Sequence, residues 1–255
     1  MTAADRSTRD QTWSVVTGAG GGIGAEIVRL LVERGPVLAI DRDGAALRDA
    51  MASVVGGAGR IANAIADVSS AGEVANAFHS VPDPATIGCL VNCAAIFDHQ
   101  PAGTMSLDAW ERVLKVNLTG PFLCSQAAFP RMRSGSIIVN IGSINGHRAI
   151  PTHANYAVSK AGLMMLTQCL AVEWASHGIR VISVSPGIVD TAMNRRVEEQ
   201  AGINTADARA KLPLRRYATP GEIAQIVAFL ASDAAAYVTG TDLLVDGAWT
   251  ALGAS

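Results

Sequence analysis

WSVVTGAGGGIGAEIVRLLVERG, residues 13 to 35, decides the fold. WSVVT is a short β-branched run. TGAGGGIG, Thr17 to Gly24, is a glycine cluster, and AEIVRLLVERG repeats its apolar residues at helical spacing until Gly35 stops it. The order is strand, turn, helix. A turn so poor in side chains between a strand and a helix lets a charged group approach the backbone amides at the helix N-terminus, where the helix dipole favours an anion.

The same rhythm continues outward. Further strand candidates are VLAID at 37–41, RIANAIADV at 60–68, GCLVNCAA at 88–95, SIIVNIGS at 136–143, IRVISVSPG at 179–187 and DLLVDG at 242–247. Helical patterns separate them, including one from about Ser106 to Arg133 and one from His153 to His177. Seven apolar strands without polar alternation are buried on both faces, which predicts a doubly wound α/β domain with a parallel seven-stranded sheet between helices. Its extent is 13–255, after a polar leader at 1–12. A polar insertion at about 190–218, between the sixth and seventh strands, overhangs the carboxyl end of the sheet and is expected to be a substrate lid.

Composition narrows the classes of function. The 255 residues are 49% hydrophobic and 16% charged, with a formal net charge of -2. No long Lys/Arg block offers a nucleic-acid or membrane footprint, and no apolar run is long enough to span a bilayer. The first dozen residues lack the apolar stretch of a secretory signal, so the expected location is the cytoplasm and the expected partner a small molecule. Cys89, Cys93, Cys124 and Cys169 form no C-x-x-C pair and lie in apolar segments, where thiols pack as small hydrophobes. The five histidines are scattered, and no metal site is expected.

Two local patterns carry chemistry. Asp41 closes the second strand, where a carboxylate accepts hydrogen bonds from adenosine ribose hydroxyls and repels a 2′-phosphate. The reading favours NAD over NADP, although aspartate also suits turns and Arg42 stands beside it. Tyr156 and Lys160 lie one turn apart on the same helix face. A free phenol has a pKa of about 10, and a neighbouring cation favours the phenolate, so the pair suits proton exchange near neutral pH.

With TGAGGGIG, Asp67–Val68, VNCAA at 91–95, Asn117 in KVNLTG, Ser143 in NIGSINGH, Tyr156 with Lys160, SPGIVDT at 185–191 and LLVDGA near the end, the chain resembles a classical short-chain dehydrogenase/reductase. The resemblance implies roles. Tyr156 would be the general acid/base, Ser143 would orient the substrate oxygen, Lys160 would hold the nicotinamide ribose and lower the tyrosine pKa, and Asn117 would position a relay water. Gly18, Gly22, Ile23 and Gly24 would cradle the pyrophosphate, Asp67 and Val68 the adenine, with Asn92 and Ala94 beside the cofactor. Pro186 and Gly187 would form the turn that brings Ile188 and Thr191 to the carboxamide. Cys93 and Ala95 depart from the asparagine and glycine common in the family. The implied activity is NAD-dependent hydride transfer between a secondary alcohol and its ketone, by a homotetramer. The alternatives are an NADP-linked 3-oxoacyl-thioester-type ketoreductase and a non-catalytic dinucleotide-binding redox sensor.

Overall fold

A computed structural model describes residues 12–57 and 59–252. The 1–12 leader lies outside them except for Thr12, which already belongs to the first strand. Seven strands, β1 (Thr12–Thr17), β2 (Val37–Asp41), β3 (Ile61–Ile65), β4 (Thr86–Asn92), β5 (Ile137–Ile141), β6 (Arg180–Pro186) and β7 (Asp242–Val245), form one sheet in the order β3-β2-β1-β4-β5-β6-β7. Every pairing is parallel.

Neighbouring residues of the central strands point to opposite faces, and both faces are dry. Val16, Val91, Val139 and Ile182 pack on α1 (Gly22–Leu31) and α9 (Pro220–Leu230) through Ile27, Leu31, Ile223 and Val227. Val15, Leu90, Ile138 and Val181 face the other way, against α3 (Ala71–Phe78), α5 (Gly120–Ala128) and α6 (Ala154–Trp174). Each such side chain contributes about 1.5–3 kcal/mol on burial. This two-sided burial produces the unbroken apolar runs of the sequence.

Local chemistry sets the helix starts. Asp43 caps α2 (Gly44–Ala52) by accepting from the Ala45 and Ala46 amides, Ser106 caps α4 (Leu107–Leu114), and Thr219 and Glu222 close a reciprocal capping box on α9. By contrast, α1 starts after Gly21 with no side-chain cap. The single helix expected over 106–133 is divided: α4 widens into a π turn at Lys115–Thr119 before α5 begins.

The polar insertion holds two short helices, α7 (Ala192–Ala201) and α8 (Thr205–Ala210). Its ends are tied together where the Ala218 amide donates to Ile188 and the Asp190 amide donates to Ala218, each at 2.9 Å. The hydroxyl of buried Tyr217 donates to Glu198, and the Arg209 guanidinium lies 4.7 Å from the Tyr217 ring. Among the described residues no helix is long and apolar enough to cross a membrane.

Candidate functional site

The chain winds away in opposite directions from β1 and β4, and a crevice opens at their carboxyl ends. Thr17 and Asn92, the last residues of the two strands, are register partners. The Thr17 hydroxyl accepts from the amides of Cys93 and Ala94, at 3.1 and 3.2 Å, which holds the turn after β4 against the glycine turn after β1. The fit is tight. A Cβ on Gly18, whose φ is 68°, would sit 2.8 Å from the Ala94 backbone, and one on Gly24 would reach 2.8 Å from the Gly18 carbonyl carbon. These two glycines close the turn onto its neighbours. Gly22 has ordinary room, its virtual Cβ meeting the Thr191 methyl at 3.6 Å.

The uncapped start of α1 therefore offers the amides of Gly22, Ile23 and Gly24 at the crevice without a competing side chain. Asp41 lies across from them. One carboxylate oxygen accepts from the Gly20 amide at 2.9 Å and the other from the Asp43 amide at 3.0 Å. A cleft at Asp41 is lined by Gly18, Asp41, Arg42, Asp67, Val68 and Ala94. Asp67 accepts from the amide and hydroxyl of Ser69, and Val68 packs so closely on Gly120 that a Cβ there would meet it at 2.8 Å. Amide donors at a helix start, a carboxylate at the end of β2 and an apolar slot fit a dinucleotide.

Asn92 lies below the crevice, buried, and donates to Asn140 at 2.8 Å; Asn140 in turn donates to Thr167 of α6, also at 2.8 Å. This buried chain joins β4, β5 and α6. Only Asn92 is legible in the sequence motif, since the partners lie 48 residues away and beyond.

Ser143 follows β5, and its hydroxyl accepts from the Asn145 amide at 3.2 Å. It also lies close enough to the phenol of Tyr156 to favour the phenolate. Lys160, one turn further along α6, is buried, lies 5.6 Å from the Tyr156 ring centroid and donates through Nζ to the Ile141 carbonyl at 2.7 Å. Burial pushes the phenol up to about 12, the Ser143 hydrogen bond pulls it down, and the Cys93 thiol adds to the rise. Burial also pulls Lys160 down to about 8. The sequence reading expected Lys160 to set the tyrosine pKa; here desolvation is the larger effect on both groups.

Asn117 sits in the π turn, fully buried. Its amide oxygen accepts from Ile96 N–H and its amide nitrogen donates to Ile96 C=O, both at 2.9 Å, and to Ser159 at 3.2 Å. The side chain thereby fastens the segment after β4 to α6. On the far wall, Pro186 ends β6, and a Cβ on Gly187 would meet Asp246 at 2.8 Å. Ile188 accepts from Ala218, and Thr191 caps α7 by accepting from Asn194. Of the sequence-selected residues, Gly18, Asp41, Asp67, Val68 and Ala94 line one cleft.

The polar neighbours of Tyr156 separate into two groups. His147 turns to Asp242 at 2.7 Å and Arg148 to the Thr250 carbonyl at 2.9 Å, towards the end of the chain. His153 stays beside Tyr156, with Phe97 packed edge-on against both rings. Of the thiols expected to be buried, Cys89 and Cys124 are, but Cys169 is exposed on α6.

A family model described as enoyl-(acyl carrier protein) reductase matches residues 18–250. D-threitol dehydrogenase of Mycolicibacterium smegmatis is 37% identical over 242 residues, covering 93% of this chain and 92% of the relative. 2-(S)-Hydroxypropyl-CoM dehydrogenase 3 of Xanthobacter autotrophicus is 37% identical over 246 residues, covering 93% and 96%. A variant of actinorhodin polyketide ketoreductase, solved with NADPH, superposes with a TM-score of 0.88 at 30% identity, covering 94% of this chain and 97% of that one. The chain belongs to the classical short-chain dehydrogenase/reductases, oxidoreductases that act on alcohols and ketones with a nicotinamide cofactor.

Proposed function

We propose that the protein is an NAD-dependent dehydrogenase that interconverts a secondary alcohol and its ketone, with Tyr156 as general acid/base. The observation that carries this is the convergence of Ser143, just after β5, with Tyr156 and Lys160 of α6, the lysine amine lying 5.6 Å from the phenol ring centroid. When bound, the nicotinamide accepts or donates the hydride and, in its oxidised form, adds a positive charge near the phenol.

In the oxidative direction Tyr156, having first lost its own proton, takes the substrate hydroxyl proton at Oη as the tyrosinate, and in the reductive direction the phenol gives that proton to the substrate oxygen. Ser143 hydrogen-bonds the same substrate oxygen and holds it in line with Oη. Lys160 uses one of its three N–H donors on Ile141 and has two for a ribose hydroxyl. Asn117, whose amide is committed to Ile96 and Ser159, acts by keeping the π turn open beside α6, where a water can pass protons from Lys160 to solvent.

For the cofactor, the amides from Gly18 to Gly24, including Gly22 and Ile23, take the pyrophosphate. Asp41 takes the ribose hydroxyls, Asp67 and Val68 the adenine, and Asn92 and Ala94 support the floor. Pro186, Gly187, Ile188 and Thr191 take the carboxamide, while residues 190–218 cover the substrate. NAD is preferred because the carboxylate of Asp41, fixed by two backbone amides, has lone pairs left for ribose hydroxyls and repels a phosphate there. NADP use is the second reading, favoured by Arg42 in the same cleft and by the relative solved with NADPH.

Exposed apolar residues on α6 support an assembly. Val158, Met165 and Val172 of this helix are exposed, with Leu107 of α4 and Phe122 of α5 also uncovered. Such a surface suits a second copy of the chain in a homotetramer. The test of function is direct: purified protein with a panel of secondary alcohols should generate NADH and the matching ketone in equal amounts. Absence of substrate-dependent NADH or NADPH formation, and of its reversal with ketones, contradicts the proposal.

A further inference from the structure

Two loops meet beside Tyr156. The segment after β4 carries Phe97 and His99, and the segment leading into α6 carries Asn145 and His153. The Gln100 amide pins them together by donating to the Thr152 carbonyl at 3.0 Å. The Phe97 ring lies 4.7 Å from His153 and 5.0 Å from Tyr156, edge-on to both, and His99 stands 5.5 Å from His153. Phenol and imidazole therefore flank a single phenyl ring on one wall.

The orientation of His153 is specified. It occupies the position before α6 but does not cap the helix; its Nδ1 lies 2.8 Å from the amide nitrogen of Asn145. An amide NH2 only donates, so Nδ1 accepts and the proton of the neutral ring resides on Nε2. Burial and the neighbouring His99 hold His153 below its ordinary pKa, in that neutral form. Among the described residues Nε2 has no acceptor. Neighbouring polar groups are engaged elsewhere: Arg112 and Gln100 on Asp98, His147 on Asp242, Arg148 on the Thr250 carbonyl. The wall of Phe97, His99 and His153 thus offers an uncharged N–H donor.

We propose that His153, oriented by Asn145, is a specificity-determining residue that donates from Nε2 to a second, uncharged oxygen of the substrate. The enzyme then favours vicinal diols, polyols and hydroxy ketones over plain secondary alcohols. This rests on the dehydrogenase reading above and adds a substrate class to it.

Steady-state kinetics on paired compounds test the proposal: vicinal cyclohexanediol against cyclohexanol, with hydroxycyclohexanecarboxylate as the charged third member. One hydrogen bond is worth about tenfold here, so wild type should favour the diol by about that factor in kcat/KM. His153→Ala should bring the ratio close to one, mainly through KM for the diol. His153→Gln, which keeps an N–H donor, should restore part of the preference. Because the ratio compares two substrates on the same variant, a general loss of stability does not move it. An unchanged ratio in His153→Ala, or a wild-type preference for the carboxylate, overturns the inference while leaving the dehydrogenase reading intact. No Tyr156-dependent turnover of any alcohol overturns the dehydrogenase reading, and this inference with it.

Discussion

Replacing Asp41 with alanine removes two kinds of interaction at once, and their sizes differ enough to be separated. The amides of Gly20 and Asp43 lose their acceptor and turn to water, which costs about 1–2 kcal/mol of stability for the two together. Ribose hydroxyls lose a charged acceptor worth about 1.5–3 kcal/mol, so KM for NAD should rise by about 10–100-fold. The opposite change is expected for NADP. A 2′-phosphate about 5 Å from the carboxylate feels about 1–3 kcal/mol of repulsion per charge, between the limits of bulk water and an effective dielectric of about 20. Removing it should lower KM for NADP by about tenfold or more, so the NAD/NADP ratio of kcat/KM swings by roughly a thousandfold. Initial rates with both cofactors, beside a thermal unfolding curve of each protein, measure all three quantities. A ratio unmoved by Asp41→Ala, or a wild type that prefers NADP, refutes the reasoning about this carboxylate.

Three further outcomes follow from the packing and charge. Gly24→Ala drives a methyl into the Gly18 carbonyl, backbone against backbone, and should cost at least ~3 kcal/mol in urea unfolding or abolish NADH binding; a neutral result contradicts the close approach. Lys160 is held at about 8 from an ordinary 10.5, so the unfolded chain binds more protons between those values and the folded state gains stability as pH rises through them. Relative to Lys160→Met, wild type should gain up to about 3 kcal/mol across that window, and a flat difference sinks the assignment of a buried lysine that gives up its proton well below its ordinary pKa. Val172→Glu on the open face of α6 should convert a tetramer to smaller species in light scattering; wild type that is already monomeric contradicts the assembly.

Much of the architecture was legible because parallel strands buried on both faces leave unbroken apolar runs; β2, β3, β5, β6 and β7 fall within the stretches those runs mark, β1 starts one residue and β4 two residues earlier, and the edge strands β3 and β7 are only partly covered. The helix expected from His153 to His177 appears as α6 and a short 3-10 turn ending at His177. Asp41 at the end of β2 and Tyr156 with Lys160 on one face were likewise readable from spacing alone. What escaped depends on contacts distant in sequence or on competition between effects. The π turn at Lys115–Thr119 leaves no periodic break, yet it puts Asn117 on Ile96. Helices α7 and α8 were hidden by their polarity, since a polar surface helix lacks the wide apolar stripe that marks a core helix. Burial of Tyr156 and Lys160 reverses the simple expectation from charge proximity, because each group loses more hydration than its neighbours return. Thr17 carried no signal beyond ending a strand, but its hydroxyl fastens the two turns that frame the crevice.

Proton exchange at Tyr156 is the step on which the account depends, and Tyr156→Phe isolates it by deleting one oxygen. The ring stays against Phe97, the glycine cleft is untouched, and Lys160 keeps its bond to Ile141. NADH binding, followed by fluorescence, should remain within about threefold of wild type, while kcat for alcohol oxidation falls by at least about a hundredfold. A Tyr156→Phe protein that still oxidises the alcohol at the wild-type rate contradicts the assignment of this phenol as the acid and base.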